Sequence, residues 1–93
     1  MKIGILKLEL FLDNNSSLKE KRRILKSLKD KIRSRFNVSI CEIGHQDKWQ
    51  MAALAIVRVG NCSRKTHSNL SNILELLQRN REVEVINSEI EII

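Results

Sequence analysis

Residues 49–59 read WQMAALAIVRV, and the run is apolar in both alternation classes. In an extended chain Met51, Ala53, Ala55, Val57 and Val59 point one way; Ala52, Leu54 and Ile56 point the other, ended by Gln50 and Arg58. A strand with two apolar faces needs cover on both, so it belongs in the middle of a sheet. The other elements have to be arranged around it.

Those elements follow in order. Residues 2–12 form a first strand, with Leu6, Leu8, Leu10 and Leu12 on one face and the mixed set Ile3, Ile5, Lys7, Glu9 and Phe11 on the other. Asp13, Asn14, Asn15 and Ser16 make a polar turn. A helix follows from Ser17 to Phe36, capped by Ser17, with Glu20 completing a capping box and Asn37 closing the far end in a left-handed conformation. Residues 38–43, VSICEI, are the second strand, and Gly44 to Lys48 is a hairpin connection into the third. Beyond the turn Gly60-Asn61-Cys62, Ser63 caps a second helix reaching about Arg79, with Leu70, Ile73, Leu74 and Leu77 at helical spacing. The last strand spans 82–92; its apolar parity switches around Ile86-Asn87-Ser88, which predicts a bulge or break.

The order β-α-β-β-α-β, with right-handed crossovers around a hairpin, predicts an α+β ferredoxin-like sandwich. Its four-stranded antiparallel sheet has the order 4-1-3-2, with two helices on one face. The same elements in another arrangement are the alternative. A length of 93 residues, no proline and three glycines fit one domain over 1–93 without a linker. Two helices cover only one sheet face, so the other exposes apolar side chains of the first and third strands. Such a patch usually marks an interface. The expectation is a homo-oligomer through the helix-free face, unless Lys7, Glu9, Gln50 and Arg58 mask it.

Charge is concentrated in one segment. Ser17 to Phe36 holds nine basic residues against two acidic ones, a surplus of +7; the whole chain is +6, so the remainder carries −1. On a helical projection Leu18, Leu25, Leu28, Ile32 and Phe36 form an apolar stripe. Lys19, Arg22, Lys26, Lys29 and Arg33 form a cationic stripe beside it, with Arg23 at its far edge; Lys31 and Arg35 flank the other side, next to Ile24. Lys21 falls inside the apolar arc, where its long side chain is expected to snorkel out to water. The stripe is a phosphate-contacting face, a solvated face, or a docking face for an acidic protein. The RNA-recognition motif shares this topology but stacks bases on sheet aromatics. Phe11, Phe36 and Trp49 are the only aromatics here, and Phe11 and Trp49 make a poor sheet platform. RNA binding would then run through phosphates and shape, with weak sequence discrimination.

Other chemistry has little to stand on. Cys41 and Cys62 have no zinc-type spacing; Cys41 reads as a small core residue and Cys62 as partly exposed. His67 reads as flanking the second helix, and no metal or cofactor is expected. There is no Gly-rich phosphate loop. The N-terminal run MKIGILKLELFL is too short and too polar to span a membrane, and two unpaired cysteines suggest a cytoplasmic protein. The densest polar cluster outside the first helix is His45, Gln46, Asp47, Lys48, Trp49 and Gln50. It is a structural hairpin, a binding loop, or an acid–base site built on His45 and Asp47.

Two stretches resemble a known family. Ser17-Leu18-Lys19-Glu20-Lys21-Arg22-Arg23, with Arg35-Phe36-Asn37-Val38 closing the helix, resembles the YlxP-like family of small bacterial proteins. His45-Gln46-Asp47 followed by Trp49-Gln50 is similar to that family's second hallmark. The resemblance spans essentially the whole chain. It implies a ferredoxin-like fold and a cytoplasmic protein of a family long described as of unknown function. Its members are often encoded near translation and ribosome-maturation factors, and no catalytic residue is established among them. The expected role is a non-enzymatic accessory of RNA or the ribosome, with rRNA or a ribosomal subunit as partner. Lys19, Lys21, Arg22, Arg23, Lys26 and Arg33 would contact nucleic acid, and His45, Gln46, Asp47, Trp49 and Gln50 would form a binding loop. The alternative is an oligomeric protein–protein interaction or regulatory domain.

Overall fold

Strand β1 (Lys2–Phe11) runs antiparallel to β3 (Met51–Gly60), placing Leu6 opposite Ile56, Leu8 opposite Leu54 and Leu10 opposite Ala52. These residues are at most 3% exposed, so the shared parity of the two strands becomes one buried face. The computed structural model describes all of residues 1–93. Its remaining elements are α1 (Leu18–Arg35), β2 (Ser39–Gly44), α2 (Ser63–Gln78) and β4 (Glu84–Ile92). The sheet order is β2-β3-β1-β4 with every pairing antiparallel, which read from the other edge is 4-1-3-2. The fold is the ferredoxin-like α+β sandwich. Ile24, Leu25, Leu28 and Ile32 of α1 join Leu70, Ile73 and Leu77 of α2 in one core with the even-numbered residues of β1 and β3, so both helices lie on the same sheet face.

The parity switch in the last strand is a bulge. Glu9 pairs with Asn87 and Leu10 with Val85, which leaves Ile86 without an opposite residue and about half exposed. Its effect is to keep Val85 and Ile90, on either side of the break, packed against the same core. β4 carries Glu84, Glu89 and Glu91 and no cation, at the sheet edge opposite β2.

Helix ends depart from expectation in three places. Ser17 Oγ accepts the Glu20 N–H at 3.1 Å, but the return arm of the capping box is absent. The Glu20 carboxylate turns to Arg23, and the Ser17 N–H donates to Asn15 Oδ1 instead. Asn37 is not left-handed: Phe36 is already extended, packs its ring against the core, and leads directly into β2. Ser63 is the first helical residue rather than the cap; that place falls to Cys62, whose side chain makes no capping bond.

Two further expectations are corrected on the sheet. Cys41 is exposed, because with Ser39 and Ile43 it faces away from the helices on an edge strand. Trp49 and Gln50 precede β3 instead of beginning it: the Trp49 carbonyl accepts from the Asn15 side chain. On the helix-free face Ile5, Ala53, Ala55 and Val57 are half-buried, Ile43 and Val59 are exposed, and Lys7 and Glu9 interrupt the apolar surface. Arg58 has the parity of the core face and Gln50 lies in the preceding loop, so neither masks it.

Gly4 is where β1 passes beneath α2. A Cβ there would meet Thr66 Cγ2 at 2.5 Å and Leu70 Cδ1 at 2.8 Å. Gly4→Ala is therefore expected to destabilise by about 1–3 kcal/mol in urea titrations, as overpacked cores do. Adding Thr66→Ser, which removes the nearer methyl, should recover part of that loss.

Candidate nucleic-acid interface

Lys21 is the residue on which the site is built. It does not snorkel: it is 2% exposed, under the loop that joins β2 to β3. Its Nζ donates to the His45 carbonyl at 2.6 Å and the Lys48 carbonyl at 2.7 Å, and lies 3.0 Å from Glu42 Oε2. The Glu42 contact is an ion pair rather than an aligned hydrogen bond, since the same oxygen has no hydrogen-bond partner. An ammonium has three protons, and three oxygens face it. Lys21 is thereby removed from the phosphate-contacting set. Its position inside the apolar arc was the sequence signal for burial.

The turn it clamps is closed by the Lys48 N–H donating to the His45 carbonyl, with His45 at φ 59°, a left-handed conformation uncommon for a side-chain-bearing residue. His45 does not pair with Asp47. Its Nε2 lies 2.8 Å from Glu9 Oε2 on β1, so the anticipated acid–base pair is not assembled. The hydrogen bonds of His45, and then of Asn87, hold the Glu9 carboxyl below the usual glutamate range. A lowered carboxyl pKa stabilises the fold above the unfolded value, and this contribution disappears as acid protonates Glu9. On its other side the loop is held by Asn15, which is 6% exposed and donates its side-chain N–H to the Trp49 carbonyl, and by the Leu12 N–H bonding the Gln50 carbonyl at 2.8 Å. Gln46, Asp47, Trp49 and Gln50 remain exposed on this anchored backbone. Asn15, Glu9 and Glu42 are the supports that sequence reasoning missed, because each acts on a residue distant in the chain.

The cations of α1 fall into distinct groups. Arg23 is held by Glu20 and by Glu82, both carboxylates raising its pKa, so its charge is answered locally. Lys26 pairs with Asp30 at 2.8 Å across one helical turn. That pair is exposed, the kind that contributes little to stability. Arg33 donates one guanidinium N–H to the Ile40 carbonyl of β2 at 3.2 Å, which fixes its stem and leaves other donors free. Lys19 and Arg22 are exposed and Lys29 is half-exposed, and none has a carboxylate within ion-pairing distance. A shallow groove between α1 and β2 collects Arg22, Lys26, Lys29 and Arg33, with the carboxylates of Asp30 and Glu42 on its wall. Since Glu42 answers Lys21, the groove is left with a cationic surplus. Glu42 on its wall also faces Lys21 beneath the loop, so the groove and the loop share a support. No group of three or more His, Cys, Asp or Glu is placed to hold a metal ion. No helix is long and apolar enough to cross a membrane.

Replacing Lys21 by Met leaves two carbonyls and the partly exposed Glu42 carboxylate without their cation. The expected cost is about 2–4 kcal/mol in chemical denaturation, with faster amide exchange at Lys48. Lys19→Met, at an exposed position of the same helix, should stay within about 0.5 kcal/mol of the parent.

Comparison with known proteins fits this layout to a family. Residues 3–90 match the model of a family described as "Protein of unknown function (DUF503)". The chain is 37% identical over 82 residues to a Bacillus subtilis (strain 168) protein named "Uncharacterized protein YlxP", covering 88% of this chain and 89% of that protein. The chain therefore belongs to the DUF503 family.

Proposed function

We propose that this member of the family is a non-enzymatic, cytoplasmic RNA-binding accessory, with structured RNA of the ribosome as its partner. The observation that carries the reading is the surplus of unanswered cations along the α1–β2 groove. Of the groove's lining residues Arg22 and Lys29 have no acidic partner, and Lys26 and Arg33 have donors to spare; Lys19, about one turn before the groove, is likewise unpaired. A row of such groups down one side of an 18-residue helix suits a phosphate backbone, whose charges repeat along a line. The 45–50 loop adds contacts that depend on the shape of the partner. The acidic strand β4 lies at the opposite edge of the sheet, which supports approach by the α1 side. Little base discrimination is expected from a surface of this kind, because phosphate contacts position a partner without reading its sequence.

The measurement is affinity for rRNA and for small ribosomal subunits across a salt series. With about four phosphates engaged, log K should fall against log salt with a slope of roughly −3 to −4. Arg22→Glu combined with Lys29→Glu should weaken binding at every salt concentration and reduce the slope by about one for each lost contact. Binding unchanged by this double charge reversal would remove α1 from the interface.

The helix-free face favours a second role that is compatible with the first. Ile5, Ala53, Ala55 and Val57 sit at its centre and Ile43 and Val59 at its margins, with Lys7 and Glu9 between them and the exposed Glu89 and Glu91 of β4 along one side. Self-association through this face is expected to appear in sedimentation as a dimer or larger species, and Val57→Lys should shift it to monomer.

A further inference from the structure

Of the three aromatic residues, Phe11 and Phe36 are half-buried and Phe36 packs against the core. Trp49 alone presents a large aromatic surface to solvent, at 51% exposed. Exposing an indole is costly, and here its backbone is held still on every side. The preceding carbonyl, of Lys48, accepts from the buried Lys21 ammonium. The Trp49 carbonyl accepts from the buried Asn15 side chain. The following carbonyl, of Gln50, accepts from the Leu12 N–H. A rigid backbone under an exposed ring lowers the ordering cost of whatever the ring meets.

Its surroundings narrow the choice of partner. A tryptophan that anchors a protein interface usually sits in a well-packed patch whose neighbours exclude water. Around Trp49 the loop supplies His45, Gln46, Asp47, Lys48 and Gln50, and the anchoring Asn15 stands two residues before the cap of the cationic helix. An isolated aromatic surface in a polar setting, on a loop clamped to the cationic helix by Lys21, suits a nucleobase, whose stacking face is apolar and whose phosphate is anionic.

We propose that Trp49 is a stacking platform for a single unpaired nucleotide of a structured RNA, adjoining the phosphates held along α1. The inference rests on the phosphate-binding reading of α1 and adds the partner's local form: one exposed ring holds one base, so the favoured target is a bulge, loop or helix end rather than a continuous duplex or a long single strand. Stacking is tolerant of base identity, so the preference is for unpaired over paired and not for one base over another.

The test uses two RNA hairpins of equal length, one with a single bulged nucleotide and one fully paired. Trp49 is the sole tryptophan, so its emission reports the contact directly. The bulged hairpin should quench that emission and bind on the order of tenfold more tightly than the paired one. Trp49→Ala should abolish the preference while leaving the salt slope intact, and Trp49→Phe should keep part of it. Circular dichroism of both variants checks the fold. Equal affinity for the two hairpins with unquenched emission would overturn stacking alone, provided the double charge reversal on α1 still weakens binding and lowers the salt slope. Absence of binding to either hairpin at low salt would overturn the stacking and the phosphate reading together.

Discussion

A lysine ammonium taken out of water has to be met by oxygen, and in this chain the oxygen comes from far away in sequence. Lys21 is supplied by two carbonyls of one loop and a carboxylate of the strand before it. The desolvation cost of the charge makes an unclamped loop unfavourable, because opening it would strand the ammonium among apolar neighbours. The path of residues 45–48 is thus set by α1, even though the loop belongs to the β2–β3 hairpin. Asn15 repeats the device with a neutral group, buried itself and bonded to the Trp49 carbonyl. Lys21 of α1 and Asn15 of the turn before it hold the backbone of a loop whose Gln46, Asp47, Trp49 and Gln50 side chains stay exposed.

This arrangement separates structural from available charge. Nominally the basic segment offers nine cations, but Lys21 is spent on the loop, Arg23 on two glutamates and Lys26 partly on Asp30. Of what remains, Arg22, Lys29 and Arg33 line the groove that borders β2, while Lys31 and Arg35 lie on the side towards α2. The helix is held to the sheet by Ile24, Leu25, Leu28 and Ile32, so its cationic side is presented at a fixed angle rather than on a mobile arm. Charge that is fixed in place makes contacts at smaller entropic cost than charge on a flexible tail.

The sheet was legible because strand parity is a strong signal: Leu6 to Leu12 and Ala52 to Ile56 name the buried face, and the doubly apolar third strand names the centre. The shift at Ile86 was legible for the same reason. Helix ends were less so. Ser63 and Asn37 have capping chemistry, yet the cap depends on which donors compete for each side chain, and Phe36 is drawn into the core before Asn37 can act. Cys41 was misread because an apolar run at a sheet edge does not say which side is covered. The site was legible only in its parts. Lys21 in an apolar arc was visible, but the oxygens that meet it, and the exchange of Asp47 for Glu9 as the partner of His45, arise from the register of strands that sequence alone does not align.

The opposed edges of the sheet have a consequence for motion before contact. β4 is uniformly acidic along its charged positions, while the β2 side is overlain by the cations of α1. The molecule thus carries an electric dipole across its sheet in addition to its net positive charge. In the field of a polyanion such a body experiences a torque as well as an attraction, so it arrives already turned with α1 leading. For a polyanionic partner of the kind proposed, fewer collisions would be wasted on wrong orientations, and added salt would slow capture by shortening the range over which the turning occurs.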